Sequence, residues 1–96
     1  MPAAVLTEAL TGDHRQDFLK NHLLRLCDIT AIDEPLARAA AALRTAVGGH
    51  CTPSAVDAIV VALADRLGGA TVLTGDPKDV RRLAAHTTRA VRVAAV

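Results

Sequence analysis

Aromatic side chains are almost missing from this chain: Phe18 is its one Phe, and it has no Trp or Tyr. Binding single-stranded nucleic acid by stacking bases needs several such rings, so that mode has no support. A core without rings must be built from Ala, Val, Leu and Ile, which fill little volume each and require close approach of the elements. Charge of one sign is lacking too. Eleven Lys and Arg stand against ten Asp and Glu, for a net charge of +1, which excludes a strongly basic nucleic-acid arm but not a nuclease with local contacts. Cys27 and Cys51 form no CxxC pattern and have no pair of histidines at zinc spacing. Two buried, reduced thiols in a cytosolic protein are expected. His14, His22, His50 and His86 fall in unrelated elements and are read as surface or boundary residues. No apolar run reaches the roughly 18 residues that span a bilayer, and MPAAVLTEAL lacks the basic start and long apolar centre of a signal peptide. A soluble, cytoplasmic protein is expected, with no membrane partner.

What is present is apolar and helical. The 96 residues, 51% apolar, suit one domain over 1–96, near the lower size limit for a self-sufficient core. Pro2 to Thr11 reads as a helix closed by Gly12. Asp13 and Gln16 open a second, with Leu19, Leu23 and Leu26 at helical spacing. Ile29 to Ile32, between Asp28 and Asp33, reads as a short strand. Glu34-Pro35 opens a third helix with Leu36, Ala40, Leu43 and Val47 on one stripe, ended by Gly48-Gly49. Ser54 caps a fourth, whose stripe is Val56, Ile59, Val60, Leu63 and Leu67. That helix is apolar on nearly every side, which marks it as buried. Gly68-Gly69 breaks it, Ala70 to Thr74 makes a strand, Pro77 starts a last helix with Val80, Leu83 and Ala84 inward, and Val91 to Val96 closes as a strand. Helices separate all three strands, so the expected fold is α/β with a short parallel sheet covered on both faces, a three-layer α/β/α arrangement.

Three carboxylates stand out against this background. Asp57 sits in the first turn of the most apolar helix, Asp76 just past the end of a strand, and Glu8 in the first helix. Each has a plain structural alternative. Ser54-x-x-Asp57 is a capping-box pattern, Asp76 before Pro77 is an N-cap pattern that Asp79 would complete, and Glu8 is an ordinary solvated helix residue. Together they say more, because ligands of parallel α/β sheets bind beyond the carboxyl ends of the strands. Asp76 falls at such an end, and the helix that Asp57 begins runs back antiparallel to the strand before Asp76. Carboxylates crowded at one edge repel unless a cation or proton settles them. Oxygen-only ligation selects a hard ion, Mg²⁺ or Mn²⁺, over zinc, and such ions serve phosphodiester hydrolysis.

At these residues the sequence resembles a PIN domain, in particular the ribonuclease toxins of VapBC toxin–antitoxin pairs. VLTEAL resembles the family segment that holds its second acidic residue, here Glu8. SAVDAIVVALA resembles the third motif, here Asp57, and ATVLTGDPKDVRRLA the strand and turn of the fourth, here Asp76, preceded by Thr74. The separations are 49 residues from Glu8 to Asp57 and 19 from Asp57 to Asp76. Such domains open with a strand carrying a first acidic residue, which this sequence lacks, so an N-terminally truncated PIN-like domain is expected. The resemblance implies catalytic, metal-binding roles for Glu8, Asp57 and Asp76, support from Thr74 and Asp79, and substrate contact by Arg81 and Arg82. It implies an RNA substrate, a cognate antitoxin and a homodimer.

Two functions follow as expectations. One is a Mg²⁺- or Mn²⁺-dependent endoribonuclease of the toxin class. The alternative is an inactive, truncated relative that docks an antitoxin or pairs with itself. A phosphate-binding doubly wound domain that uses the helix start at Pro77 is disfavoured, since no glycine-rich loop is present and the acidic residues there repel an anion.

Overall fold

The computed structural model of the protein describes residues 1–48, 52–89 and 91–96, and these form two compact units, Met1–Ile32 and Asp33–Val96. The second carries the apolar core. It contains α3 (Glu34–Val47), α4 (Ala55–Arg66), β1 (Thr71–Thr74), α5 (Pro77–Ala84) and β2 (Arg92–Ala95), while the first carries α1 (Val5–Ala9) and α2 (His14–Leu24). The order is thus four helices, then strand, helix, strand. β1 and β2 are parallel, in register from Thr71 opposite Arg92 to Thr74 opposite Ala95. The mixed α/β class with a short parallel sheet is as expected, and the described sheet has two strands.

α3 starts where Asp33 accepts the Leu36 amide at 2.9 Å and pairs with Arg66 at 2.9 Å. The Leu36 amide, first, and then the Arg66 guanidinium hold the Asp33 carboxyl below its usual range. The apolar stripe of α3 buries Leu36, Ala40 and Leu43. It packs on α4, and α4 and α5 pack on one another. α4 corrects the sequence expectation. Its most deeply buried residues are Ala58, Val61, Ala62, Leu63 and Ala64, whereas Val56, Ile59 and Val60 are half-buried and Leu67 is exposed. Alanines at the contact let α3, α5 and β1 approach one helix from several sides, which bulkier residues would prevent. α4 ends at Gly68 and Gly69, both at positive φ (92° and 97°). That left-handed turn returns the Gly69 amide to the Ala64 carbonyl and sends the chain back along the helix as β1. α5 buries Val80 and Leu83 as expected.

Asp65 has a role that its sequence position did not suggest. It accepts from the Thr88 amide and hydroxyl and the Arg89 amide at 2.8–3.3 Å, tying the approach to β2 onto α4. Burial raises its pKa, but these donors outweigh that and leave it lowered.

In the N-terminal unit, α1 is shorter than the Pro2–Thr11 expected, because Pro2 and Ala3 are engaged elsewhere. Pro2 forms a parallel bridge with Thr30, closed by Ala3 N–H to Thr30 O at 2.8 Å and Thr30 N–H to Met1 O at 2.7 Å. The Ile29–Ile32 strand is therefore a single bridge. Its partner turns into α1 at once, with the Val5 amide already on the Pro2 carbonyl, so no ladder can extend. Cys27 is exposed, against the expectation of a buried thiol; Cys51, His50 and Gly49 lie outside the described residues. No described helix is long and apolar enough to cross a membrane.

Asp17, buried on α2, holds the turn before that helix. It accepts the Thr11 amide, the Thr11 hydroxyl at 2.9 Å and the Gly12 amide at 2.8 Å. The Thr11 amide, first, lowers its pKa below 3.8, against the opposing effect of burial. A lowered folded-state pKa contributes stability that is present above the unfolded value and lost as pH falls through the folded one. Asp17→Asn is expected to loosen α2 at neutral pH. Its deficit against wild type should shrink as pH drops below about 4, read by amide exchange across Thr11 to Lys20.

Candidate metal centre

The two core-unit carboxylates of interest reach the same end of that unit by different routes. From Leu67 back to Asp57 is about ten residues of helix, roughly 15 Å. From Ala70 forward to Thr74 is about four extended residues, roughly 13 Å, before the chain turns over Gly75 into Asp76. α4 packs on β1 and the Gly68-Gly69 turn reverses the chain between them, so the first turn of α4 stands beside the carboxyl end of β1.

Asp57 is half-buried. Ser54 caps α4, its hydroxyl accepting the Asp57 amide at 3.1 Å. In a complete capping box the Asp57 carboxylate would return to the Ser54 amide. Among the described residues that bond is not made, and no donor or cation meets the carboxylate.

Asp76 stands at the N-cap position of α5 with φ −124° and ψ 76°, and its side chain makes no cap bond. Its amide donates instead to the Thr74 hydroxyl at 3.0 Å, a tight turn over Gly75 that fixes the backbone of Asp76 relative to the strand end. Pro77 follows and has no N–H to offer. The Asp76 carboxylate is exposed and, among the described residues, unpaired. The Thr-Gly-Asp-Pro order was legible as a strand end and turn, and the bond from the Asp76 amide to the Thr74 hydroxyl is the local backbone role open to a threonine at a strand end.

Asp79 and Arg82 are committed to each other. They pair at 3.2 Å, each about one-third exposed, and Arg82 extends towards the Gly48 carbonyl at 3.5 Å. Arg81 is exposed on the next position of α5. Glu8 belongs to the N-terminal unit, exposed on α1.

The ten acidic residues divide by occupation. Asp13 caps α2, Asp17 holds Thr11 and Gly12, Asp33 holds Leu36 and Arg66, Glu34 pairs with Arg38, Asp65 holds Thr88 and Arg89, and Asp79 pairs with Arg82. Glu8, Asp28, Asp57 and Asp76 are left, with carboxylates that meet no donor among the described residues. No buried side-chain oxygen or nitrogen among the described residues lacks a partner, so the Asp57 carboxylate is reached by solvent and open to a ligand. No group of three or more His, Cys, Asp or Glu side chains converges among the described residues. Asp57 and Asp76 offer two unspent all-oxygen ligands. This fits Mg²⁺, which takes one or two carboxylates and fills its remaining positions with water and substrate phosphate.

Thr74 is testable on its own. Thr74→Val removes the acceptor for the Asp76 amide and is expected to lower any Asp76-dependent metal affinity about 10-fold or more. Thr74→Ser should retain it, as measured by Mn²⁺ titration.

A family model described as "PIN domain" matches residues 1–85. No curated protein and no solved structure matches the chain. PIN domains are generally nucleases that depend on divalent metal ions, bind RNA and often pair with antitoxins.

Proposed function

The chain belongs to the PIN-domain family, and we propose that it is a Mg²⁺- or Mn²⁺-dependent endoribonuclease of the VapC toxin type. Asp57 and Asp76 of the core unit would hold the metal ion, while Glu8, which the sequence set beside them, stands on α1 of the N-terminal unit and forms no three-carboxylate group with them among the described residues. One observation carries the reading: in the core unit, Asp57 and Asp76 escape both structural duties their positions offer, the reciprocal capping bond and the N-cap. A bound Mg²⁺ or Mn²⁺ supplies charge that offsets the negative charge growing on the scissile phosphate and makes water more acidic.

The chain's own residues do the positioning. The first turn of α4 presents Asp57 from a helix whose other polar residues, Asp65 and Arg66, lie at its far end. The Thr74 hydroxyl holds the Asp76 amide, so that this carboxylate stays off the helix end. Arg81 is available to an RNA phosphate, while Arg82 is tied to Asp79. The chemistry requires no protein nucleophile, in keeping with a chain whose described thiol, Cys27, is exposed in the other unit. A cognate antitoxin and a second copy of the chain complete the proposed set of partners.

The alternative, an inactive relative that only binds, draws support from the lack of a three-residue acidic group among the described residues. A single assay separates the two. Incubation of single-stranded RNA with the purified chain and Mn²⁺ should give discrete cleavage that EDTA abolishes. Intact RNA under saturating Mn²⁺, with a folded chain, would remove the nuclease reading and leave the binding one.

A further inference from the structure

The end of α3 and the approach to α4 frame an open cleft of about 380 Å³, whose described lining is Ala41, Arg44, Thr45, Gly48 and Thr52. None of these residues is acidic. Arg44 lies on the last turn of α3, half-buried, and its Nε donates to the Pro53 carbonyl at 3.0 Å. That bond ties the guanidinium to the residue before the Ser54 cap. Its two terminal nitrogens meet no partner among the described residues. Thr45 spends its hydroxyl proton on the Ala41 carbonyl at 3.0 Å, whereas Thr52 is exposed and its hydroxyl, among the described residues, is unspent. A second guanidinium comes in from α5, where Arg82 reaches the Gly48 carbonyl at 3.5 Å.

Such a cleft suits an anion with several oxygens. A guanidinium already held through Nε presents its remaining N–H groups in one plane, which matches two oxygens of a phosphate and loses little freedom on binding. The Thr52 hydroxyl adds a neutral donor. Position in the chain says which phosphate. Thr52 and Pro53 lead directly into the helix whose first turn carries Asp57, so no more than about 12 Å of chain separates the cleft from that residue. A metal ion on two carboxylates engages the scissile phosphate alone. An RNA strand carries a phosphate at every nucleotide, and the next one along needs a surface that is not acidic.

We infer that the cleft between Arg44 and Thr52 holds a backbone phosphate of the RNA strand, next to the one presented to Asp57 and Asp76. The inference rests on the ribonuclease reading above. The contact is to phosphate, so it positions the strand without reading its sequence. It also suits a chain with a net charge of only +1 and one aromatic ring: a fixed guanidinium in a cleft places a strand where neither overall charge nor base stacking can.

Fluorescence anisotropy of a short labelled oligouridylate, titrated with the whole chain in EDTA, tests it, with circular dichroism as the control for folding. Thr52→Glu sets a negative charge in the cleft at an exposed position and should weaken binding at least about 10-fold. Ala39→Glu, an equal change of charge at an exposed position of α3 outside the cleft, should leave it nearly unchanged. Arg44→Gln should lower the slope of log Kd against log salt by about 0.7, the share of one phosphate contact, and Arg44→Lys should keep that slope. A wild-type chain that binds no oligouridylate up to about 1 mM would overturn the inference. So would Thr52→Glu and Arg44→Gln variants with unchanged affinity and slope, or inorganic phosphate bound as tightly as the oligonucleotide. EDTA keeps cleavage out of the measurement. A chain that binds through the cleft yet leaves RNA intact under Mn²⁺ would support the cleft and remove the nuclease reading; Mn²⁺-dependent cleavage indifferent to the cleft variants would do the reverse.

Discussion

Asp76→Asn is expected to abolish metal-dependent RNA cleavage while leaving the fold as stable as before, and Asp57→Asn to do the same. Both halves of that expectation come from the same fact. Neither carboxylate makes a hydrogen bond or an ion pair among the described residues, so the amide that replaces it costs the core nothing. For Asp57 the change removes a favourable charge from the first turn of α4, worth about 0.3–1 kcal/mol. The net effect on stability is small. The effect on activity is not. Changing residues that merely orient a metal ligand typically costs 10–100-fold in affinity or activity, so removing a ligand should cost at least about 100-fold. Rates of cleavage at saturating Mn²⁺, set beside thermal melts of the same samples, check both halves. A loss of activity that tracked a loss of folded protein would instead assign these aspartates to structure.

Leu83→Ala should have the opposite signature. Leu83 is fully buried on α5, the helix that links the two parallel strands and packs on α3, α4 and β2. Cutting a leucine to alanine in such a site typically costs 2–5 kcal/mol, because the cavity left behind adds to the lost burial. A unit of 64 residues has roughly 3–10 kcal/mol of stability in all. The substitution is therefore expected to leave the core unit partly unfolded at 37 °C and to shift its urea midpoint far down. Leu83→Met, close in volume, should retain most of the stability. Urea titrations of the two variants against wild type measure this directly.

The elements that were legible in the sequence had one strong signal each. α3 has a single stripe of larger apolar residues on a helix otherwise of alanine and polar side chains, opened by Glu34-Pro35, and its buried residues Leu36, Ala40 and Leu43 were those of the stripe. α5 sets Val80 and Leu83 against two arginines. α4 was harder for the opposite reason. With Val, Ile, Leu or Ala at nearly every position, periodicity offered two faces, and the larger side chains suggested the wrong one. Close packing between elements selected the alanines. The Ile29–Ile32 stretch failed differently, since β-branched residues favour a strand but a strand needs a partner of equal length, and Pro2 was followed by a helix.

At the candidate site, the sequence set Asp57 in the first turn of α4 and Asp76 just past the end of β1, and that is where each stands. It could not say whether their carboxylates were occupied, because Ser54-x-x-Asp57 and Asp76-Pro77 read equally well as caps. That distinction depends on bonds made or left unmade in three dimensions, as does the engagement of Asp79 with Arg82 and of Asp65 with Thr88.

Isothermal titration of the purified chain with Mn²⁺, run beside Asp57→Asn and Asp76→Asn, tests most directly whether the unspent carboxylates form a metal centre. Saturable binding by wild type, lost in both variants while all three melt alike, is the result predicted here. A folded wild-type chain that takes up no Mn²⁺, or variants that bind it as well as wild type does, would contradict a metal centre at Asp57 and Asp76.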